Sequence, residues 1–185
     1  LLQELAELTD IKKENEELRK TLDFTLKEDF TIAEGEILWK DPSQDVLVVR
    51  TGDGIESGMP VITPEKIAVG RVEEVLGEFS RIRLLSHTQS STDVVVGEHR
   101  IGGVIKGEGR FGATIDLIPQ EAVIEVGDVV LTSSLGGIFP KNFLVGRVGE
   151  VLQSDLEPFQ RAVLDPSFDI SLHHLLLIIT NYTTH

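Results

Sequence analysis

The sequence contains no cysteine, a single tryptophan and tyrosine, and 17 basic residues against 31 acidic ones. Without cysteine, disulfides, thiolate–metal sites and cysteine nucleophiles are excluded. The formal net charge of −14 repels phosphate backbones and anionic headgroups, which argues against nucleic-acid binding. No run approaches the roughly 18 apolar residues of a membrane-spanning helix, and the first residues do not resemble a signal peptide. With 185 residues, 41% of them hydrophobic, the chain can fold into one or two small domains.

Two stretches of the chain repeat the same order of strand, loop and returning strand. The first copy occupies residues 58–63 and 67–76, and the second occupies residues 127–132 and 143–152. Both follow the pattern Gly-x-x-Val-(Ile/Leu)-Thr, then Val-Gly-Arg-Val-x-Glu-Val-Leu. Such a repeat predicts two equivalent β units.

Glycines occupy equivalent positions in the two copies. Gly58 and Gly127 open them, while Gly70 and Gly146 lie inside the returning strands. A glycine weakens a flat strand, but in a small barrel it marks a bend or a bulge at a corner. We therefore expect these four glycines to be structural.

The loop of the second copy is longer and rich in small residues. It contains Ser133, Ser134, Gly136 and Gly137, which are typical of a turn. A backbone cradle for an anion or a peptide is the alternative interpretation.

Residues 1–29 have neither Gly nor Pro and are rich in Leu, Glu and Lys, which predicts a helix. One heptad seam on this helix contains Leu8, Ile11, Asn15, Leu18 and Leu22. Acidic residues at g and basic residues at e favour a parallel dimer, in which a single Asn at position a sets register and strand number. The alternative is an amphipathic helix that lies against its own β domain.

From residue 30 onward, short runs of Val, Ile and Leu alternate with turn signals. The pattern predicts a mainly β fold, with an N-terminal coiled-coil helix at residues 1–29 and two small six-stranded β-barrels, or sandwiches, related by the repeat. The expected boundaries are 30–98 for the first barrel and 99–185 for the second. The final run, residues 172–179, is apolar on both faces and is expected to be covered on both sides, where the two units meet.

Strands of the two units can also be matched in order. Residues 161–166 correspond to residues 81–86, and residues 172–179 correspond to residues 92–96. We therefore expect residues 92–96 to complete the first unit.

Two barrels in tandem raise the possibility of a serine hydrolase, which needs a serine, a base and an orienting carboxylate. Only His87 lies in a first-unit loop suited to a base, and Ser133 and Ser134 are not arranged like an oxyanion segment. His173 and His174 would point to opposite faces of a strand, so they are poor joint metal ligands. The sequence thus predicts no catalytic site, no metal and no cofactor.

Five segments of the chain share a recognisable pattern: residues 14–18, 58–61, 69–72, 127–140 and 145–148. Together they resemble the MreC family of rod shape-determining proteins. The most specific is Gly-Asp-x-Val-x-Thr-Ser-x-x-Gly-Gly-x-Phe-Pro at 127–140, where Ser134 replaces a frequent Gly.

The resemblance implies a single-pass membrane protein whose β-barrels lie on the outer, periplasmic face of the bacterial cytoplasmic membrane. Its membrane helix would precede Leu1. The family implies a non-enzymatic scaffold of cell elongation that organises peptidoglycan synthesis. The implied associates are MreD, MreB, and the elongation transpeptidase and transglycosylase, with self-association as a homodimer and as higher assemblies through barrel surfaces.

Two other classes of protein combine similar elements. A periplasmic adaptor of a transport complex also has a coiled coil and β domains, but its helices form an antiparallel hairpin inserted within the β part. The single N-terminal helix favours the scaffold. A double-barrel hydrolase is the second alternative.

Overall fold

The computed structural model describes residues 9, 11–16, 18, 30–41, 43–153 and 157–182. Residues 9, 11–16 and 18 are helical, within the stretch that the sequence predicts to be a helix. No helix in this described part is long and apolar enough to span a membrane.

The described residues from 30 onward form twelve strands. The first six are β1 (Ile32–Asp41), β2 (Val46–Thr51), β3 (Pro60–Ile62), β4 (Ala68–Leu76), β5 (Phe79–Leu84) and β6 (Ser91–Val96). The next six are β7 (Ile101–Gly109), β8 (Gly112–Pro119), β9 (Val129–Thr132), β10 (Leu144–Leu152), β11 (Phe159–Pro166) and β12 (Leu175–Ile179).

Side chains alternate between the inside and the outside of the sheets. In β5, Ser80, Ile82 and Leu84 are buried, whereas Arg81 and Arg83 are partly exposed. Strand β6 shows the same period of two. Because successive side chains of a strand point to opposite faces, this period determines which residues enter a core.

The strands close into two antiparallel six-stranded barrels, which confirms the predicted fold class. The order around the first barrel is β1-β12-β3-β4-β5-β2, and around the second it is β7-β6-β9-β10-β11-β8. Written in this way, equivalent strands of the two repeats stand at equivalent places. Neighbours are antiparallel throughout both described barrels.

The predicted barrel boundaries, 30–98 and 99–185, are wrong because the barrels exchange their last strands. Strand β6 follows the first repeat in sequence but pairs with β7 and β9 of the second barrel. Strand β12 ends the second repeat but pairs with β1 and β3 of the first barrel. A strand's apolar pattern indicates that one face is buried, but not which barrel buries it.

The exchanged strand β12 joins the two hydrophobic cores. Leu176 and Ile178 belong to the core of the first barrel, while Leu177 and Ile179 pack in the core of the second. All four side chains are completely buried. The two faces of β12 are therefore covered by different barrels, which explains its uninterrupted apolar sequence.

The predicted match of residues 161–166 to 81–86 is shifted by two positions. Gly70 pairs with Leu84 in the first barrel, and its equivalent Gly146 pairs with Pro166 in the second. Leu84 therefore corresponds to Pro166, whereas the predicted match pairs it with Leu164. A shift of two keeps every side chain on its face, so alternation alone does not detect it.

Candidate interaction surfaces

The predicted dimer seam is only partly within the described residues. Leu8 and Leu22 lie outside them. Ile11 and Leu18 are helical and 60% and 44% exposed, and Asn15 between them is also exposed. The described part of the seam is thus exposed to solvent.

The chain that follows this helix is fixed at the junction of the barrels. The ring of Phe30 lies 6.1 Å from that of Phe143, between centroids, next to the core of the second barrel. The backbone N–H of Thr31 donates to Asn181 Oδ1 at 2.9 Å, and the Thr180 N–H donates to the Thr31 carbonyl at 2.8 Å. Both ends of the described β region therefore lie next to each other.

The repeat glycines lie where the backbone needs them. Gly58 and Gly127 both have φ of +93°, and their N–H groups donate to the carbonyls of Val72 and Val148. A Cβ on Gly70 would collide with the carbonyl of Arg83, and Gly146 meets the equivalent carbonyl of its partner strand β11. Strand β4 and strand β10 each bulge next to this glycine. Gly70 and Gly146 are therefore glycines because a neighbouring backbone carbonyl leaves no room for a side chain.

The loop that links β9 to β10 is fixed by buried hydrogen bonds. Thr132 Oγ1 donates to the Pro140 carbonyl at 2.7 Å and accepts from the Phe143 N–H at 2.9 Å. The Phe139 side chain is buried, and its carbonyl accepts from the Tyr182 hydroxyl at 2.9 Å. The arrangement is a packed structural turn.

The same loop does not offer an anion cradle at its glycines. A Cβ on Gly136 would collide with the carboxylate of Asp93, so a negative group of the chain itself already lies there. The Ser133 hydroxyl accepts from the Leu135 N–H within the turn. An anion bound at this place would meet like charge.

The histidines that the sequence singles out have local structural contacts. His87 Nδ1 accepts from the Gln89 N–H at 3.0 Å. His173 is buried, stacks on Phe168 with ring centroids 5.5 Å apart, and lies 3.8 Å from the Glu65 carboxylate. Both His173 and His174 precede β12, which begins at Leu175, so they are not in the strand as predicted. Among the described residues, no three His, Asp or Glu side chains are placed to hold a metal ion.

A network of ion pairs covers the outer face of β4 and β5. Arg83 donates to Glu73 through both Nε, at 3.1 Å, and a terminal nitrogen. Arg81 lies 3.8 Å from Glu73 and 3.9 Å from Glu74. Partial burial opposes ionisation of Glu73, but the hydrogen bond from Arg83 and the two arginine charges outweigh it, so the pKa of Glu73 is lowered.

Beside this network lie large apolar side chains that the sequence reasoning did not single out. Trp39, the only tryptophan of the chain, is 57% exposed, and Leu38 next to it is also exposed. Leu76 and Phe79, at the turn between β4 and β5, are also exposed. The sequence does show Leu38 and Trp39 as two consecutive large apolar residues. A regular strand would bury only one of them, so the other is expected to be exposed.

Comparison with known proteins gives one family. The model of the rod shape-determining protein MreC, barrel core, matches residues 40–180. The cell shape-determining protein MreC of Listeria monocytogenes is 28% identical over 96% of this chain, and that of Escherichia coli is 33% identical over 80%. The chain spans 65% and 41% of the length of these two relatives.

Solved structures agree with the family and the fold. One structure of MreC superimposes with a TM-score of 0.80 at 26% identity, covering 91% of this chain and 98% of that one. MreC of Helicobacter pylori, solved in complex with the penicillin-binding protein PBP2, has a TM-score of 0.67 at 23% identity, covering 82% and 99%. A major periplasmic domain of the filament MreC has a TM-score of 0.69 at 20% identity, covering 80% and 95%. With its family match over residues 40–180 and its two closed barrels, the chain belongs to the MreC family of cell shape-determining proteins.

Proposed function

We propose that this chain is a non-enzymatic scaffold of the bacterial cell-elongation machinery, which controls rod shape by organising peptidoglycan synthesis. The observation that carries the proposal is the family match across both barrels, residues 40–180. The barrels themselves support it, because their interiors are filled with apolar side chains. Large apolar side chains such as Trp39 and Phe79 are exposed on an outer face, where a partner protein could contact them.

The proposed partners follow from the relatives. MreC of Helicobacter pylori forms a complex with PBP2, so we assign the elongation transpeptidase as a binding partner of this chain. The transglycosylase, MreD and MreB are further partners that the family implies. The proposed location is the periplasmic face of the cytoplasmic membrane, as for the periplasmic domain of a related filament protein.

Self-association is proposed to occur through the N-terminal helix as a parallel dimer. Ile11 and Leu18 are seven residues apart, exposed and on one face, with Asn15 between them. The seam would include Leu8 and Leu22. A dimer at this place would present two pairs of barrels side by side to the synthesis enzymes.

Replacement of the resident protein in a rod-shaped bacterium tests the scaffold. In cells depleted of their own family member, this chain, joined to a membrane-spanning helix, is expected to restore the rod shape. The helix alone is the matched control. Round cells that contain stable, folded chain would contradict the scaffold role, and hydrolysis of wall peptides that Ser133→Ala abolishes would contradict its non-enzymatic part.

A further inference from the structure

Both sheets close on themselves, so the two described barrels have no free strand edge for a partner to extend. A protein that binds them has to use side chains on the outer faces. Tryptophan, tyrosine and arginine carry much of the energy at such interfaces. The two outer faces can be compared directly, because their strands are equivalent.

One row of cross-strand neighbours shows where the two faces differ. Across β4, β5, β2 and β1 the row consists of Glu74, Arg81, Val48 and Trp39. Across β10, β11, β8 and β7 the equivalent row consists of Glu150, Val163, Thr114 and Lys106. The second row ends on a lysine whose Nζ donates to the Asp116 carboxylate at 2.7 Å. The first row ends on an exposed indole.

A bulge in β1 enlarges the apolar surface around this indole. Ile37 pairs with Val49 and Trp39 pairs with Val48, so Leu38 has no partner on β2. The extra residue allows two consecutive large apolar side chains to be exposed together. Bulges commonly redirect side chains at functional sites in this manner.

A second apolar pair lies on the next row toward the hairpin. Phe79 of β5 stands opposite Leu76 of β4, and both side chains are exposed. Together, Leu38, Trp39, Val48, Leu76 and Phe79 form what we call the Trp39 face.

The Trp39 face is nearly balanced in charge within a strongly acidic chain. The outer surface of these four strands carries four arginines and five acidic residues: Arg50, Arg71, Arg81, Arg83, Glu34, Glu36, Asp41, Glu73 and Glu74. The chain as a whole has a net charge of −14. A partner approaching this face therefore meets apolar area and arginines without the repulsion that the rest of the chain exerts on an acidic protein.

We propose that the Trp39 face is the surface through which the chain binds the elongation transpeptidase. The inference rests on the proposed function, which supplies the partner, and adds the place of contact. The exposed side chains of Trp39 and Phe79 would be the central aromatic contacts of this interface. The proposed contact with a second copy of this chain lies on the helix, at the exposed Ile11 and Leu18, which leaves the Trp39 face to the transpeptidase.

Binding of purified chain to the periplasmic part of the transpeptidase from the same organism tests this surface. Trp39→Ala and Phe79→Ala are each expected to weaken binding at least about tenfold, as central aromatic contacts do. Phe159→Ala is the matched control, since Phe159 begins β11 as Phe79 begins β5, and their exposures are 42% and 41%. We expect this control to bind like the wild type. All three variants remove exposed side chains, so their melting temperatures should equal that of the wild type.

The possible results separate the surface from the function. If Phe159→Ala weakens binding and the first two variants do not, the contact lies on the second barrel and the Trp39 face is excluded. Unchanged affinity in all three variants excludes it as well. A wild-type chain that does not bind the transpeptidase overturns the proposed partner, and with it this surface. Loss of self-association in Trp39→Ala, measured by sedimentation without any loss of transpeptidase binding, would assign the face to a second copy.

Discussion

The two barrels have equivalent interiors but different exteriors. Their strands stand in the same order, their glycines approach equivalent carbonyls, and both cores are filled by apolar side chains. On the outside, Trp39 of one barrel corresponds to Lys106 of the other, and Arg83 corresponds to Asp165. The interior has to keep volume and register for the barrel to close, whereas outer side chains can change without affecting closure.

The barrels also differ in how they depend on one another. The first barrel takes its closing strand from the end of the chain, whereas the second takes its own from the middle. An isolated bridge between Ile67 and Leu144 further ties the starts of β4 and β10 together. The two barrels are therefore expected to fold as one cooperative unit, although the sequence repeat suggests two separate ones.

The largest expected effect is on a fragment of residues 30–98, which we predict does not fold alone. It lacks β12, so β1 and β3 are left with open edges, and its own β6 has no barrel to join. Circular dichroism should show no cooperative melting. Addition of residues 99–185 should restore it by supplying β12 and accepting β6. A fragment that melts cooperatively alone would mean that β6 can close the first barrel.

Substitution of the equivalent glycines compares the two barrels directly. Gly70→Val and Gly146→Val should each lower the free energy of unfolding by about 3 kcal/mol, because the new side chain meets a backbone carbonyl that cannot move away. Gly102→Val in β7 is the control, since a Cβ there meets open space, and it should change stability by less than about 0.5 kcal/mol. Urea unfolding measures all three. Equal stability of Gly70→Val and the control would contradict the close approach.

Substitutions in the helix test whether the chain dimerises through the helical seam or through the barrels. Leu18→Glu should give monomers with unchanged barrel melting, and Asn15→Leu should tighten association while allowing other registers or trimers. Thr9→Glu adds the same charge outside the seam and should remain a weak, concentration-dependent dimer, as a short helix allows. Sedimentation at several concentrations measures this. Dimers that persist in Leu18→Glu would place the contact on the barrels.

The smallest expected effect concerns acid stability. The pKa of Glu73 in the first barrel is lowered from 4.5, and that of Asp116 in the second is lowered from 3.8 by the hydrogen bond from Lys106. A lowered folded-state pKa gives stability that is present above the ordinary value and is lost as pH falls through the folded one. Glu73→Gln and Asp116→Asn should each cost about 1 kcal/mol at neutral pH. In acid, where the carboxylates of the wild type become protonated, the free energy of unfolding of each variant should come closer to that of the wild type.

Denaturant unfolding at neutral and acid pH measures this difference. Glu74→Gln is the control, because its half-exposed carboxylate lies 3.9 Å from Arg81 without a hydrogen bond. It should change stability little at either pH. A Glu73→Gln variant with the wild-type dependence on pH would show that this ion pair contributes no net stability.

Much of the architecture could be predicted from periodicity and the repeat. Alternation in β5 and the paired Val-Gly-Arg-Val segments indicated strands, faces and two equivalent units. The Trp39 face was not predicted. The consecutive apolar residues Leu38 and Trp39 are visible in the sequence, but the bulge opposite Val48 that exposes both depends on pairing between two strands. The Glu73 ion pair with Arg83 was also not predicted, since it joins residues of two strands.

The sequence by itself determined where the strands lie and which of their faces is buried. It also determined the number of barrels and the positions that have to be glycine. It did so because side-chain alternation and backbone freedom are local properties of the chain. Only the tertiary structure decided which barrel each last strand closes and by how many residues β11 is shifted along β10. The alternative strand pairings would bury the same apolar side chains, so the choice among them depends on differences in free energy between whole folds. The local sequence does not distinguish such pairings.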